Sequence, residues 1–525
     1  MTSSSELLGQ ARLRAESLRD RYRAAGFWSS ESLDLVRLAA KRTPALPAVR
    51  DRQGELTFAE LDGRIDAAAS AMRDAGVGES VRVLLVVGND VGSLVAIHAA
   101  LRVDAVVLLV PRSSGDRQIT DIAKRTGAEF GLAPNWPEAG GSELCGLLRW
   151  IEIGDGGGTY RGPASGQPIR AADEPALVLF TSGTTSAPKG VVHSLSTLVK
   201  ASSNYVAAAG LAEHDRIFLI SPMASVTGVL QAVFIGPMLG VPVILEDRWD
   251  PAATCELLVK TGATWYGGPD RLLDRLLDEA VLRGSTIPLR AVYLGGTMLD
   301  RRIVERIEND FGIIVMRAYG SSEVPVSTSG QRSEPKELRH ADDGIPLRDV
   351  EIKVGSAQEP TECCIKGPHT FLGYTGGEGD SVAFDEEWFR TGDVAELAGD
   401  RVRIVGRIKD IVIRNGLKIP TAEVDEVIAR IAGVKECAAY SVADSVTGER
   451  LAVAMVLEPE TTLSLDDVAD ALTAAGLPKY KLPEELVLWD QPLPLNANGK
   501  VERNTLDARS YGRPRMLANR LVNTG

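Results

Sequence analysis

The chain has 525 residues, room for several folding units at about 150 residues each, and carries 58 basic against 71 acidic residues for a formal charge of −13. With 44% apolar and 25% charged residues, its composition is that of an ordinary globular protein and excludes disordered, collagen-like and membrane classes. The acidic balance argues against a general electrostatic grip on nucleic acid or anionic lipid. Five cysteines, of which only Cys363 and Cys364 are close in sequence, give neither a disulfide framework nor a zinc-type spacing. A reducing, cytoplasmic compartment is expected.

From Met1 to Arg23 charges recur with no apolar stretch, so no secretory signal is read there. Val81 to Val87 and Val106 to Val110 read as buried strands around a helix at Val91 to Leu101. Ala176 to Phe180, Val241 to Leu245, Ala291 to Leu294 and Ile313 to Met316 read as further strands. Ile217 to Leu245 holds no charge and has the length of a membrane span. Pro222, Gly228, Gly236, Pro237, Gly240 and Pro242 instead divide it into strand, turn, helix and strand lengths. The alternation predicts an α/β protein whose large N-terminal domain holds parallel sheets covered on both faces. Around Val350 short strands at Glu351 to Val354, Glu362 to Lys366 and Arg401 to Val405 suggest a small antiparallel sheet or barrel. Beyond Gly406, helices at Ala422 to Ile431 and Ser464 to Ala475 and strands at Ala438 to Val442 and Leu451 to Leu457 predict a small α+β unit. A boundary near Arg407 to Asp410 divides the chain into residues 1–408 and 409–525. The tail after Asp507, with four arginines and no acid, reads as a frayed end.

The densest chemical signal is Thr181-Ser182-Gly183-Thr184-Thr185-Ser186-Ala187-Pro188-Lys189-Gly190, directly after an apolar strand. Hydroxyls, glycines and a lysine on such a loop supply donors and positive charge without bulk, which suits a polyphosphate. It is not the usual P-loop, which has Gly before the Lys and Ser or Thr after it. With this segment the sequence resembles the adenylate-forming superfamily of acyl- and aryl-CoA synthetases, non-ribosomal peptide adenylation domains and luciferases. Further segments match in order. Tyr319-Gly320-Ser321-Ser322-Glu323 is similar to Tyr-Gly-x-Thr-Glu, and Trp388-Phe389-Arg390-Thr391-Gly392-Asp393 to the Thr-Gly-Asp segment. Gly406-Arg407-Ile408-Lys409-Asp410 resembles the hinge, and Pro494-Leu495-Asn496-Ala497-Asn498-Gly499-Lys500 the catalytic-lysine segment. The resemblance runs from Leu56 to Arg503.

It implies an acid–thiol ligase using ATP, Mg2+ and coenzyme A: a carboxylate becomes an acyl-adenylate, then a thioester. Lys189 with Thr181, Ser182, Gly183, Thr184 and Thr185 would hold the β- and γ-phosphates, and Glu323 would bind Mg2+. Asp393 and Arg407 would bind the ribose hydroxyls. Gly295, Gly296, Thr297, Ala318, Tyr319 and Gly320 would surround the adenine, with Tyr319 stacked on it and Ser322 retaining the hydroxyl of the usual Thr. Lys500, on a mobile C-terminal domain pivoting at Lys409, would reach the α-phosphate only in the first step. Gly416 would line the thiol tunnel or simply close a hairpin turn. The acyl pocket is expected at Ala224, Ser225, Gly228, Tyr266, Gly267 and Gly268, where small residues leave room behind an apolar lining for a bulky alicyclic, aromatic or medium-chain carboxylate. Departures from the family pattern are Ser186 for Gly, Ala224-Ser225 where a bulky residue or His is common, and Thr421 for Pro. Alternatives are a stand-alone enzyme loading a carrier protein, or a relative with weakened adenylation. No membrane span is expected, and the oligomeric state is left open.

Overall fold

A computed structural model describes residues 7–134, 147–151, 168–181, 188–295, 299, 301–377, 379–495 and 501–522. Arg82–Val87 and Val106–Pro111 pair in parallel, and Pro175–Phe180 joins them on the other side. These strands are apolar because both faces are covered, and residues such as Leu84, Leu85, Val107 and Leu108 are fully buried. The helix Val91–Arg102 covers one face and starts at Asp90, whose carboxylate accepts from the Ser93 N–H. On the opposite face lie Ala11, Ala15, Leu18 and Tyr22 of the helix Gly9–Ala24. Antiparallel strands Gly190–Ser194 and Gly373–Tyr374 complete one edge of this sheet.

A second sheet has a parallel centre of Pro47–Arg50, Val243–Leu245, Ile217–Leu219, Trp265–Gly268, Ala291–Gly295 and Ile314–Tyr319. Its outer strands, Thr328–Ser329, Ile345–Pro346 and Glu55–Thr57, are antiparallel, so the expected parallel sheets are mixed ones whose edges turn back as hairpins. The charge-free stretch forms two of these central strands around a π-helical turn at Val229–Ile235. No described helix is long and apolar enough to cross a membrane.

Glu351–Val354, Glu362–Lys366, Phe384–Asp385, Trp388–Ala398 and Arg401–Arg407 make a small antiparallel sheet. After the tight turn Ile408–Asp410 the chain enters a separate sheet, beginning with Ile411–Arg414 and Leu417–Pro420. Val434–Asp444, Gly448–Leu457 and Glu485–Trp489 extend it, under the helices Thr421–Ile428 and Leu465–Ala474. Over its described residues the tail is not frayed. Arg515–Leu517 pairs with Glu485–Trp489, and the tail arginines find acids outside their own segment. Arg513 meets Asp490 at 2.6 Å, Arg515 meets Glu485 at 3.0 Å, and Arg520 meets both Glu484 and Asp444.

Candidate active site

Ligands of parallel sheets bind beyond the carboxyl ends of the strands. There the second sheet places Gly295 beside Ala318, and the next residues turn through Tyr319 and Gly320. A side chain on Gly320 would lie 2.4 Å from the Val326 nitrogen, so the tight return of this loop requires glycine. The Tyr319 hydroxyl donates to Asp393 Oδ2 at 2.7 Å, and Arg407 Nε stands 3.0 Å from Asp393 Oδ1. Asp393 and Arg407 are direct partners across two antiparallel strands, which fixes this pair by register. Burial and then the Asp393 charge push the Tyr319 pKa up, while the Asp393 charge raises that of Arg407. Tyr319 therefore stays a donor and Arg407 a cation. Asp393 is acceptor-only when ionised, which suits two vicinal hydroxyls.

Glu323 lies on the same loop. Its Oε1 accepts from the Tyr374 hydroxyl at 2.9 Å and its Oε2 from the Ser321 hydroxyl at 2.8 Å. Its main chain is tied as well, since the Phe371 N–H donates to the Glu323 carbonyl at 2.8 Å. His193 Nε2 donates to the neighbouring Ser322 carbonyl at 2.7 Å. Burial holds the His193 pKa down to about 4, so the ring is neutral near pH 7. Lys189 Nζ sits 4.8 Å from the centre of the Tyr374 ring. The Thr181 N–H donates to the Lys189 carbonyl at 3.0 Å and ties together the two ends of the Ser/Thr/Gly-rich segment. With a lone pair left on each carboxylate oxygen, Glu323 fits Mg2+, which takes one or two carboxylates together with phosphate and water oxygens. Among the described residues no cluster of three or more His, Cys, Asp or Glu forms a metal cage. Ser182, Gly183, Thr184, Thr185, Ser186, Gly296, Thr297 and Lys500 lie outside the described residues. The Lys500 segment is framed by a Leu495–Val501 bridge and by Arg503, which donates to the Ala439 carbonyl at 2.6 Å.

At the expected acyl pocket, the reasoning from small residues needs correction. A side chain on Gly228, Gly267 or Gly268 would meet the Pro222 carbonyl at 2.2 Å, the Tyr205 hydroxyl at 2.5 Å or the Tyr266 hydroxyl at 2.9 Å. These glycines admit close neighbours; the space beside them is already filled. Ser225 caps a helical turn, accepting from the Gly228 N–H at 3.1 Å. Ala224 is buried in the core. Successive strand residues face opposite ways, so Tyr266 packs with Phe218, Ile244 and Leu273 while Trp265 faces Tyr205 and Tyr293. Trp265 Nε1 donates to the Tyr205 hydroxyl at 3.0 Å, and buried Gln231 donates to the Gly267 carbonyl at 3.1 Å. The lining is therefore polar and aromatic in part. Lys409 occupies the tight turn where the chain changes sheets. Asn415 and Gly416, with φ of 51° and 77°, close a two-residue hairpin, and that turn alone accounts for the glycine. Tyr374, His193, Ser321 and Gln231 were not singled out by sequence.

Mixed sheets thus carry a Tyr–Asp–Arg cluster and a glutamate linked through Tyr374 to a lysine, with a small separate sheet beyond a tight turn, an arrangement suited to an adenylate-forming enzyme. The chain matches the AMP-binding enzyme family over residues 36–375 and the AMP-binding enzyme C-terminal domain over residues 423–500, and it belongs to that family. It is 28% identical to a salicylyl-CoA synthase / salicylate adenylyltransferase of Streptomyces sp, over 93% of this chain and 95% of that one. A medium-chain fatty-acid–CoA ligase of Escherichia coli (strain K12) is 26% identical over 93% of this chain and 92% of its own. In fold the chain is similar to ATP-bound MatB from Rhodopseudomonas palustris, with a TM-score of 0.81 at 22% identity, covering 92% of this chain and 99% of that one.

Proposed function

We propose that this chain is an acid–thiol ligase that adenylates a carboxylic acid with ATP and then transfers the acyl group to coenzyme A. The observation that carries the reading is one loop that brings Tyr319, joined to Asp393 beside Arg407, together with Glu323, which Tyr374 links to Lys189. In the first step a carboxylate oxygen attacks the α-phosphorus, and the bond to the leaving pyrophosphate breaks. Both reactants are anions, so the site must cancel charge and fix the line of attack. Asp393 would hold the ribose hydroxyls and Lys189 the outer phosphates, while Lys500 would meet charge developing at the α-phosphate. Mg2+ held by Glu323 would supply further neutralisation of the triphosphate. In the second step a thiolate attacks the acyl carbon and AMP leaves, for which the unit after Lys409 would rotate away and admit the pantetheine arm beside Gly416.

Relatives named for CoA ligation favour coenzyme A over a carrier protein as the acceptor. The acid is read as an aromatic, alicyclic or medium-chain carboxylate, a range supported by relatives named for salicylate and for medium-chain fatty acids. Free thiols at Cys255, Cys363, Cys364 and Cys437 fit a reducing, cytoplasmic compartment. The test is a panel of carboxylic acids assayed for AMP release with coenzyme A and, separately, with a phosphopantetheinylated carrier protein. The reading expects AMP and an acyl-CoA in equal amounts with at least one acid. Acyl-carrier product with no acyl-CoA would replace it with the carrier-loading alternative.

A further inference from the structure

We propose that Tyr374 is the positioning residue that sets the geometry of Glu323 against Lys189; this rests on the reading of Glu323 as the Mg2+ carboxylate. Tyr374 touches both groups at once. Its hydroxyl donates to Glu323 Oε1 at 2.9 Å, and its ring lies under Lys189 Nζ at 4.8 Å. Neither contact is a loose surface one, because Tyr374 is only 6% exposed. The ring packs edge-on against Phe371 at 4.9 Å, and Phe371 stacks on Phe384.

The backbone makes the arrangement rigid. Gly373 and Tyr374 pair antiparallel with Val192 and Val191, so the strand following Lys189 is held in register with the tyrosine. The Phe371 N–H meanwhile holds the Glu323 carbonyl, and the Tyr374 N–H donates to Asp380 Oδ1 at 2.8 Å. The segment 371–374 thus fastens the glutamate loop to the lysine strand, which belong to different sheets. With the Tyr374 hydroxyl on Oε1 and the Ser321 hydroxyl on Oε2, the carboxylate cannot rotate freely. Held in this way, the carboxylate offers its remaining lone pairs to an ion in one fixed orientation. Partners of this kind, one step removed from the ion, are worth about 10- to 100-fold in metal affinity.

Tyr374→Phe keeps the ring under Lys189 and against Phe371 and removes the hydrogen bond to Glu323. Mn2+ binding in the presence of the unreactive analogue α,β-methylene-ATP, followed by electron paramagnetic resonance, should weaken about tenfold. In the adenylation assay the Mg2+ concentration for half-maximal rate should rise by a similar factor, and saturating Mg2+ should restore most of the rate. A purely structural loss would not be rescued by the ion. Glu323→Gln serves as the companion variant, and melting curves confirm that both fold. If Glu323→Gln loses Mn2+ binding while Tyr374→Phe binds it like the unaltered protein, the positioning role is overturned and the Mg2+ reading stands. If Glu323→Gln also binds Mn2+ unchanged, the Mg2+ reading itself fails.

Discussion

At the scale of single residues, the chemistry concentrates where register and hydroxyl donors fix a carboxylate. Asp393 is held on Oδ2 by the Tyr319 hydroxyl and on Oδ1 by Arg407. Asp393→Asn keeps the shape but replaces an acceptor-only group with one that also donates. It should raise the KM for ATP about 10- to 100-fold, the range expected for a hydrogen bond to a charged group. The KM for the acid should change little, and initial-rate kinetics with each substrate varied checks both. Ser186, a departure from the Gly of the family pattern that the sequence resembles, allows a milder prediction. Backbone strain of about 1 kcal/mol corresponds to roughly fivefold in rate, so Ser186→Gly should change pyrophosphate exchange by no more than that. A much larger gain would mean that Ser186 cripples the loop in the natural chain. Asp393, Arg407 and Glu323 were legible because each sits in a short segment whose residues carry its meaning. Tyr374 and Gln231 act across the fold, on groups 51 and 36 positions away, and no local pattern announces such contacts.

At the scale of elements, the strands were legible wherever apolar runs are buried on both faces, as in Arg82–Val87 and Val106–Pro111. Edge strands such as Gly373–Tyr374 are too short to carry a pattern, so the mixed character of the sheets was not. The tail misled for a different reason. Its arginines look unpartnered in sequence because Asp490, Glu485, Glu484 and Asp444 belong to other elements. Arg520→Met would remove one of two arginines from each acid, leaving Glu484 with Arg414 and Asp444 with Arg450. The unit after Asp410 should then unfold at a lower urea concentration, followed by Trp489 fluorescence, with the large sheets unaffected. An unchanged midpoint would make the tail dispensable. The turn Ile408–Asp410 is the element on which the two-step reading depends. Proline at position 409 fixes φ near −65° and removes one source of rotation. Lys409→Pro should leave pyrophosphate exchange within a few-fold and lower thioester formation at least tenfold; thioester formation at the normal rate would place the pivot elsewhere.

For the whole molecule, three histidines are buried uncharged: burial lowers His98 and His193 to about 4 and His369 to about 3, from a usual value near 6.5. Between about pH 6.5 and 4 the unfolded chain binds protons that the native one does not. Stability present above pH 6.5 is therefore lost as the pH falls, at up to about 1.4 kcal/mol per pH unit for each histidine. Unfolding midpoints in urea should decline steadily from pH 7 to 5, and a flat profile would contradict this burial. The same molecule is read as carrying two reactions at one cleft, with Lys500 needed for the first alone. The most direct test measures both half-reactions in Lys500→Ala: pyrophosphate exchange with the acid, and conversion of supplied acyl-adenylate to the coenzyme A thioester. Exchange should fall by orders of magnitude while thioester formation persists near its normal rate. Equal loss in both would contradict a lysine that enters the cleft for adenylation only.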